Sequence, residues 1–489
     1  MTELWPHQLA AVEKLAPLGR GALFMEMGDG KTRTALELVA RWGCRRVLIL
    51  CPLKVVRVWP AEFAKHLGGN WQVGALDTGT IKQRCGRILT EGLCAACDDA
   101  PWAAAINYDA LPYKPLPAAL CGSQWDCIIA DEVHRMKDPS GVGSLLVAQI
   151  AASIPHRLLL TGTPMPHSQL DIFAQWRILA PEVFGTDWFR FQRHFAAMEQ
   201  KTIWYKPKAR PGKPPPKAAQ KKVWVIAKDP ETGQPVYTHT AELQAKIAPM
   251  AFRSNATEKT LPPTTDQSVY CLLDPATQRV YHDMEQDFVA TCGPVEEIMR
   301  GIVAGTVTAP NALVKGLRLA QIANGFATDT ETGDIIPLGT EKADLLADVM
   351  ADLPPDESIV VFGRFVEDLA AIAQTAEAQG RGYHEVSGRR NELAVWQSGA
   401  GNVLGVQLQA GGVGVDFTRA RYQVYYSLDY VLGNYLQTRK RIHRPGQTRP
   451  VTYIHLLAAG TVDEVILKAL QDREATVVPI VEGLAEQDA

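Results

Sequence analysis

Residues 20–32 read RGALFMEMGDGKT: a short apolar run, two glycines around an aspartate, then a lysine and a hydroxyl residue at the start of a helical pattern. Gly21 to Met25 is continuously apolar, as in a strand buried on both faces of a parallel sheet. TRTALELVARWG, residues 32–43, has helical spacing and closes on Gly43. A strand that delivers a glycine turn to a helix N-terminus suits a phosphate. Backbone N–H groups point at the anion, Gly28 and Gly30 permit close approach, Lys31 suits β/γ-oxygens, and the Thr32 hydroxyl suits Mg2+. The pattern G-x-x-x-x-G-K-[ST] would place its first glycine at Met25, so a glycine turn beside a surface lysine is the competing reading.

The same strand–helix rhythm continues outward. RVLILCP (46–52), WDCIIADE (125–132) and HRLLLTGTP (156–164) are further short apolar runs. They predict an α/β domain with crossover helices over residues 1–185. A second series starts near 357: SIVVFGRF, YHEVSG, NVLGVQL, YQVYYSLD and VTYIHLL, with a helix over FVEDLAAIAQTAEAQG closed by Gly380. This predicts a second α/β lobe, taken as 336–489. The middle, 186–335, reads as mainly helical: Asp274-Pro275 starts a helix carrying Val280, Tyr281, Met284 and Phe288, and another runs from Asn311 to Gly325.

Within that middle, residues 201–228 hold nine Lys or Arg, no Asp or Glu, and five prolines. This stretch is a basic arm, extended rather than helical, with a hairpin predicted from Lys222 to Ala227 and the turn-rich DPETGQP after it. Trp204, Tyr205 and Trp224 are interleaved with its lysines. The arm is either a solvated linker or a nucleic-acid or partner contact.

The whole chain has 489 residues, a formal net charge of -3 and nine cysteines. An apolar fraction of 46% excludes wholesale disorder, and no apolar run approaches the roughly 20 residues of a membrane span. MTELWPHQ lacks the pattern of a secretory signal, and an odd cysteine count then suggests reduced thiols in the cytoplasm or nucleus. The near-neutral total excludes coating of nucleic acid by bulk charge, yet it averages over the basic arm and the Arg-rich segment Arg439 to Arg449.

Three side-chain groups carry chemistry. Asp131-Glu132-Val133-His134 ends a predicted buried strand, where carboxylates enter the crevice used for nucleotides in open α/β sheets. The aspartate suits a Mg2+ shell and the glutamate an attacking water, against the plain reading of a solvated acidic turn and a structural histidine. In QTRKRIHRPGQ, Gln437, Arg441, His443, Arg444 and Gln447 cluster. Arg441 and Arg444 can reach one anion, as arginine fingers on a γ-phosphate or as contacts to a nucleic-acid backbone. Cys94 and Cys97, with Cys85, Cys121 and Cys127 nearby, are either a zinc set or buried thiols.

The ordered set LWPHQL, MEMGDGKT, VLILCPLKVVRVWPAEF, INYDAL, ADEVHRMKD, LLLTGTP, VVFGRF, AGGVGVDFT and QTRKRIHRPGQ resembles the superfamily 2 helicase-like ATPases, and most of all the SWI/SNF-type translocases of double-stranded DNA. LLLTGTPMPHSQLDIFAQWRILAPEVFG and TYIHLLAAGTVDEVILKAL are particularly similar to that family. The resemblance runs from Leu4 to about Leu470 and weakens across 196–241. It implies two RecA-like lobes with ATP and Mg2+ between them. It assigns Gln8 to adenine, Lys31 to phosphates, Thr32 and Asp131 to the metal, and Glu132 to water. Gln437 joins the nucleotide contacts, while Arg441 and Arg444 act from the second lobe. His134, Thr161, Thr163, Arg364, Gly411 and Gly412 fall where the family couples nucleotide state to DNA. The chain departs from the family's habit at Asp29 (leucine), Val133 (alanine or glycine) and Asp416 (asparagine). Asp29 and Asp416 add negative charge near phosphates.

Three functions follow from this resemblance. The first is an ATP-driven translocase on double-stranded DNA that remodels protein–DNA complexes, expected to act as a monomer without a membrane. The second is a strand-separating DNA or RNA helicase. The third is a nucleotide-dependent scaffold with little hydrolysis, which the intact Lys31, Glu132, Arg441 and Arg444 oppose. Strand displacement separates the first two, and ATP hydrolysis separates both from the third.

Overall fold

A computed structural model of the chain describes residues 3–26, 28–97, 100–166, 168–205, 219–231, 234–254, 261–292, 305–309, 311–410 and 415–482. It divides into two compact units, Met1–Ser254 with Ala475–Ala489, and Asn255–Glu474. The stretch 186–335, expected as a separate region, is shared between them at Ser254.

In the first unit the strands are β1 (Arg20–Met25), β2 (Arg46–Cys51), β3 (Gln72–Ala75), β4 (Trp102–Asn107), β5 (Cys127–Asp131), β6 (His156–Leu160), β7 (Met198–Tyr205), β8 (Ala219–Ile226) and β9 (Ala251–Ser254). Seven form one parallel sheet in the order β3-β4-β2-β5-β6-β1-β9. Alternate side chains feed two apolar layers. Phe24, Leu48, Leu50, Ile106, Ile128 and Leu159 face one, and Leu23, Met25, Val47, Ile49, Ile129 and Leu158 face the other. Double-sided burial is why these strands read as unbroken apolar runs rather than as alternations. Four strands match the expected runs to within a few residues; β3, β4 and β9 are additions.

β7 and β8 form a separate antiparallel hairpin, Met198 opposite Ile226 and Tyr205 opposite Ala219. The expected hairpin stretch Lys222 to Ala227 pairs with β7 before it, and the turn-rich DPETGQP also folds back as expected, with Lys228 bridging Pro235 and Val236 N–H donating to the Ala227 carbonyl at 2.9 Å. Lys206, Lys208, Arg210 and Lys213 of the basic arm lie outside the described residues.

In the second unit β10 (Thr264–Cys271), β15 (Ile359–Gly363), β16 (Tyr383–Val386), β17 (Val403–Gln407), β18 (Tyr422–Tyr425) and β19 (Val451–Ala458) form a parallel sheet in the order β10-β19-β18-β15-β17-β16. It too is buried on both faces, Val360, Phe362, Leu404 and Val406 against one layer, Ile359, Val361, Val403 and Val424 against the other. Two small hairpins, β11 (Val289–Cys292) with β12 (Gly305–Thr308) and β13 (Phe326–Thr328) with β14 (Ile335–Pro337), precede β15.

The middle stretch is thus mixed rather than mainly helical. Its two expected helices are present. Pro275–Asp287 is capped by Asp274, whose side chain accepts from the N–H groups of Ala276 and Thr277. Ala312–Ala323 is preceded by Asn311, whose Oδ1 accepts from Val314 N–H at 3.0 Å. Its strands were hidden because β10 sits at a sheet edge, where its side chains are mostly exposed and polar. Among the described residues no helix is long and apolar enough to cross a membrane.

Candidate functional site

In the first unit β5, β6 and β1 are adjacent and parallel, so the loops at their carboxyl ends open on the same edge of the sheet. These loops hold Asp131-Glu132, Thr161 to Thr163, and Glu26 to Gly30. Placement at the carboxyl edge is what an open α/β sheet does with ligands.

The loop after β1 is held by its own backbone and by residues far away in sequence. Gly28 and Gly30 have φ of +98° and +81°, a region that suits glycine, and Gly30 directly precedes the helix Lys31–Arg41. A Cβ on Gly30 would stand 2.1 Å from Gln8 Nε2, so only glycine lets Gln8 pack against the loop. Gln8 is buried. Its Oε1 accepts from Trp5 N–H at 3.0 Å, and its Nε2 donates to the Asp29 carbonyl at 3.0 Å. Asp29 is buried too, accepting the Glu26 N–H on Oδ2 at 3.2 Å while its own N–H donates to the Glu26 carbonyl at 3.2 Å. The aspartate that departs from the family pattern therefore closes the turn, rather than presenting a charge on the surface. Lys31 Nζ donates to the Met25 carbonyl at 3.0 Å and to Glu26 at 3.3 Å, inside the loop. Thr32 is half-buried in the first turn of the helix.

Sequence reasoning missed the support beneath this loop. Glu26 pairs with Arg253 of β9 at 2.7 Å, both buried, and Arg253 Nη1 also donates to the Phe24 carbonyl at 3.3 Å. More than two hundred residues separate the partners, so no local pattern could show the pair.

Asp131 ends β5 with its carboxyl buried. Burial and the neighbouring Glu132 push its pKa up to about 7, and Lys31 and the Glu132 N–H draw it down. The Tyr108 hydroxyl donates to the Asp131 carbonyl oxygen at 2.9 Å, fixing the strand end. Glu132 has φ +51°, a left-handed conformation that is uncommon for a glutamate. Its Oε2 lies 3.3 Å from His134 Nδ1. That same nitrogen is 3.0 Å from Thr161 Oγ1 and 3.5 Å from Thr163 Oγ1, and Thr163 N–H donates to Thr161 Oγ1 at 3.1 Å. The structure thus joins four of the expected residues, Glu132, His134, Thr161 and Thr163, in one network. The TGTP loop also packs closely on the loop after β1, since a Cβ on Gly162 would be 3.3 Å from the Met25 carbonyl oxygen.

The second unit repeats the logic at its own sheet edge. Arg364 follows β15, and its N–H donates to Asp368 Oδ2 at 3.0 Å and to Ser427 Oγ at 2.8 Å. Asp368 is buried and also accepts from Phe365 N–H, Ser427 Oγ and Asn324 Nδ2. Burial pushes its pKa up to about 6, against the hydrogen bonds that favour its charged form. Asn324 Oδ1 accepts from Lys342 Nζ at 2.7 Å, and Lys342 is ion-paired with Asp463 at the start of the helix Val462–Glu482. A buried polar chain therefore runs from that helix to the backbone of Arg364.

Arg441 lies in the helix Leu432–Ile442 and Arg444 just beyond it. Their Nη1 groups converge on one acceptor, the Val415 carbonyl, at 3.4 and 3.2 Å. Arg441 is buried, and Arg444 Nε lies 3.8 Å from Asp416 Oδ2. Asp416 Oδ1 is turned inward onto Thr418, accepting from its N–H at 2.9 Å and its hydroxyl at 2.7 Å. Gln437 is half-buried in the same helix, whereas Gln447 is a staple whose Nε2 donates to the Ala420 carbonyl at 2.7 Å. Gly411 and Gly412 lie outside the described residues. So does the Cys97 side chain. Cys94 and Cys121 are exposed, and Cys85 and Cys127 are buried.

The donor set of the first unit fits a Mg2+-nucleoside triphosphate: a helix N-terminus, an ammonium, a hydroxyl and a carboxylate pair around one glycine turn. Comparison with known proteins agrees at the level of family. Residues 7–324 match the SNF2-related domain, and 341–446 match the helicase conserved C-terminal domain. The chain is 22% identical to the chicken (Gallus gallus) DNA repair and recombination protein RAD54B over 93% of its length and 51% of that protein. It is also 22% identical to the Saccharomyces cerevisiae DNA repair and recombination protein RDH54 over 87% of its length and 43% of that protein. It therefore spans about half the length of these relatives. It is 24% identical to putative protein p41 of Acyrthosiphon pisum secondary endosymbiont phage 1 over 96% of both chains. Among solved structures, the Sulfolobus solfataricus SWI2/SNF2 ATPase core in complex with dsDNA matches at 18% identity over 100% of this chain and 95% of that one, with a TM-score of 0.40. By the extent of the first match, which takes in well over half of its residues, the chain belongs to the SNF2-related family.

Proposed function

We propose that this chain is an ATP-dependent motor that moves along double-stranded DNA and displaces or remodels what is bound there. The observation that carries this reading is the Glu132–His134–Thr161–Thr163 network. It ties the residue suited to orient water to a loop that the family uses in nucleic-acid coupling. Lys31 and the N-terminus of its helix would hold the triphosphate, with Thr32 and Asp131 holding Mg2+ and Gln8 beside the base. Bound there, Mg2+-ATP supplies a phosphoanhydride whose γ-phosphoryl group can pass to water.

Glu132 accepts a hydrogen bond from that water and aligns it. The proximity of His134 makes the carboxylate's position sensitive to where Thr161 and Thr163 stand. Arg441 and Arg444 bring two cations to one point in the second unit, suited to charge developing on a transferring phosphoryl group. Each cycle of nucleotide binding and hydrolysis would shift the grip on one DNA strand. The names of the repair and recombination relatives support DNA as the substrate class.

Two displacement assays run in parallel test the direction of this reading. A third strand wound on a duplex should be stripped in an ATP-dependent manner, while a plain duplex with a tail should stay paired. Unwinding of the plain duplex would make the chain a strand-separating helicase instead.

A further inference from the structure

At the root of the β7–β8 hairpin three ligand-type side chains meet that the nucleotide-type site does not use. His194 is the penultimate residue of the helix Trp188–Phe195, just before the chain leaves along β7. His239 immediately precedes the helix Thr240–Ile247, just after the chain returns, and Glu242 lies in the first turn of that helix. His194 Nε2 is 2.7 Å from Glu242 Oε2, and the His194 and His239 rings lie 4.4 Å apart at 45°. One ligand atom from each of the three falls within 4.8 Å of the others. The backbone below them is already tied: Thr238 N–H donates to the Phe195 carbonyl at 3.1 Å, and Ala197 N–H to Val236 at 3.0 Å.

We propose that His194, His239 and Glu242 bind one divalent transition-metal ion of the zinc type, which staples the outgoing and returning chains at the root of the basic hairpin. Two imidazoles and a carboxylate suit zinc and its neighbours in the first transition row. Mg2+ prefers an all-oxygen shell and would not compete here. Donors about 2.0–2.2 Å from a tetrahedral ion stand roughly 3.3–3.6 Å apart. The ligand atoms of the present cluster, within 4.8 Å of one another, stand somewhat wider than this, and the two imidazoles that would draw in are exposed.

Two details favour a ligand role over a bare His–Glu pair. His239 has φ +54°, a left-handed position in which histidine is among the favoured non-glycine residues, and its ring lies 4.4 Å from that of His194. Glu242 gives its Oε1 to Lys246 Nζ at 3.0 Å and keeps Oε2 on the imidazole side. It lies in the first turn of its own helix, where a carboxylate offsets the positive end of the helix. Three protein ligands leave the fourth tetrahedral position to water, as in open zinc sites.

The test uses the full chain, stripped of metal by a chelator and held in excess Mg2+. Zn2+ is titrated by calorimetry, and Co2+ by the visible absorption of a tetrahedral site. One equivalent should bind. His239→Asn keeps a residue that tolerates the left-handed backbone, and Glu242→Gln keeps the shape of the carboxylate. Each should weaken Zn2+ binding at least about tenfold, with unchanged metal-free thermal melting showing that both variants fold. Cys94→Ser should leave the titration as it is. The proposal is overturned if the wild-type chain binds no Zn2+ in the presence of Mg2+, or if His239→Asn and Glu242→Gln bind it as tightly as wild type.

Discussion

Glu132 is the residue on which the proposed chemistry converges. It is held at φ +51° between a buried strand and a short 3-10 turn, a conformation that costs a non-glycine residue about 1–3 kcal/mol. From that position its carboxylate lies 3.3 Å from His134 Nδ1. Replacing Glu132 by Gln keeps the shape and removes the acceptor charge. Hydrolysis should fall by about 10²–10⁴ while nucleotide affinity stays near wild type. Paired measurements of steady-state ATPase rate and fluorescent-nucleotide binding check this. A variant that hydrolyses ATP at the wild-type rate would remove Glu132 from the mechanism. At this scale the sequence was most informative for residue types that chemistry demands at fixed local spacing: Gly28, Gly30, Lys31 and Thr32 within one turn, and Asp131 beside Glu132. It was least informative about Asp29. Its charge suggested repulsion of phosphate, whereas the folded turn buries it against the Glu26 N–H.

Elements were legible in proportion to how local their cause is. β1, β2, β5 and β6 announce themselves because burial on both faces demands a continuous apolar run. β10 does not, since one strand at a sheet edge shows water a polar surface. The polar chain Asp463–Lys342–Asn324–Asp368 was equally hidden, because its members lie on elements scattered from 324 to 463. It joins the helix Val462–Glu482 to the strand end that carries Arg364. A buried ion pair that loses one partner leaves the other charge without compensation, typically at about 3–5 kcal/mol. Lys342→Met should therefore lower stability by that order and depress the thermal midpoint sharply. The double variant Lys342→Met with Asp463→Leu should recover part of the loss. Urea melts of the three proteins measure it, and an unperturbed single variant would mean that the chain of contacts contributes little.

For the molecule as a whole, net charge was an uninformative average. Its -3 averages residues 201–228, with nine Lys or Arg and no Asp or Glu, against a remainder in which Asp and Glu outnumber Lys and Arg, and only the local distribution bears on nucleic acid. Two parallel sheets were legible from the repeated strand runs, and the division near Ser254 was not, because β9 returns to the first sheet after the hairpin and only the pairing of Ala22 with Ala251 reveals it. Each unit gathers its functional candidates beyond the carboxyl ends of its own parallel strands, where open α/β sheets place ligands.

The most direct test of the motor reading is the ATPase rate of the full chain offered double-stranded DNA, single-stranded DNA and RNA in separate reactions, with Glu132→Gln alongside. Stimulation that is greatest with double-stranded DNA and absent in the variant is the expected result. An ATPase rate that no nucleic acid raises, or one raised most by RNA, would contradict it.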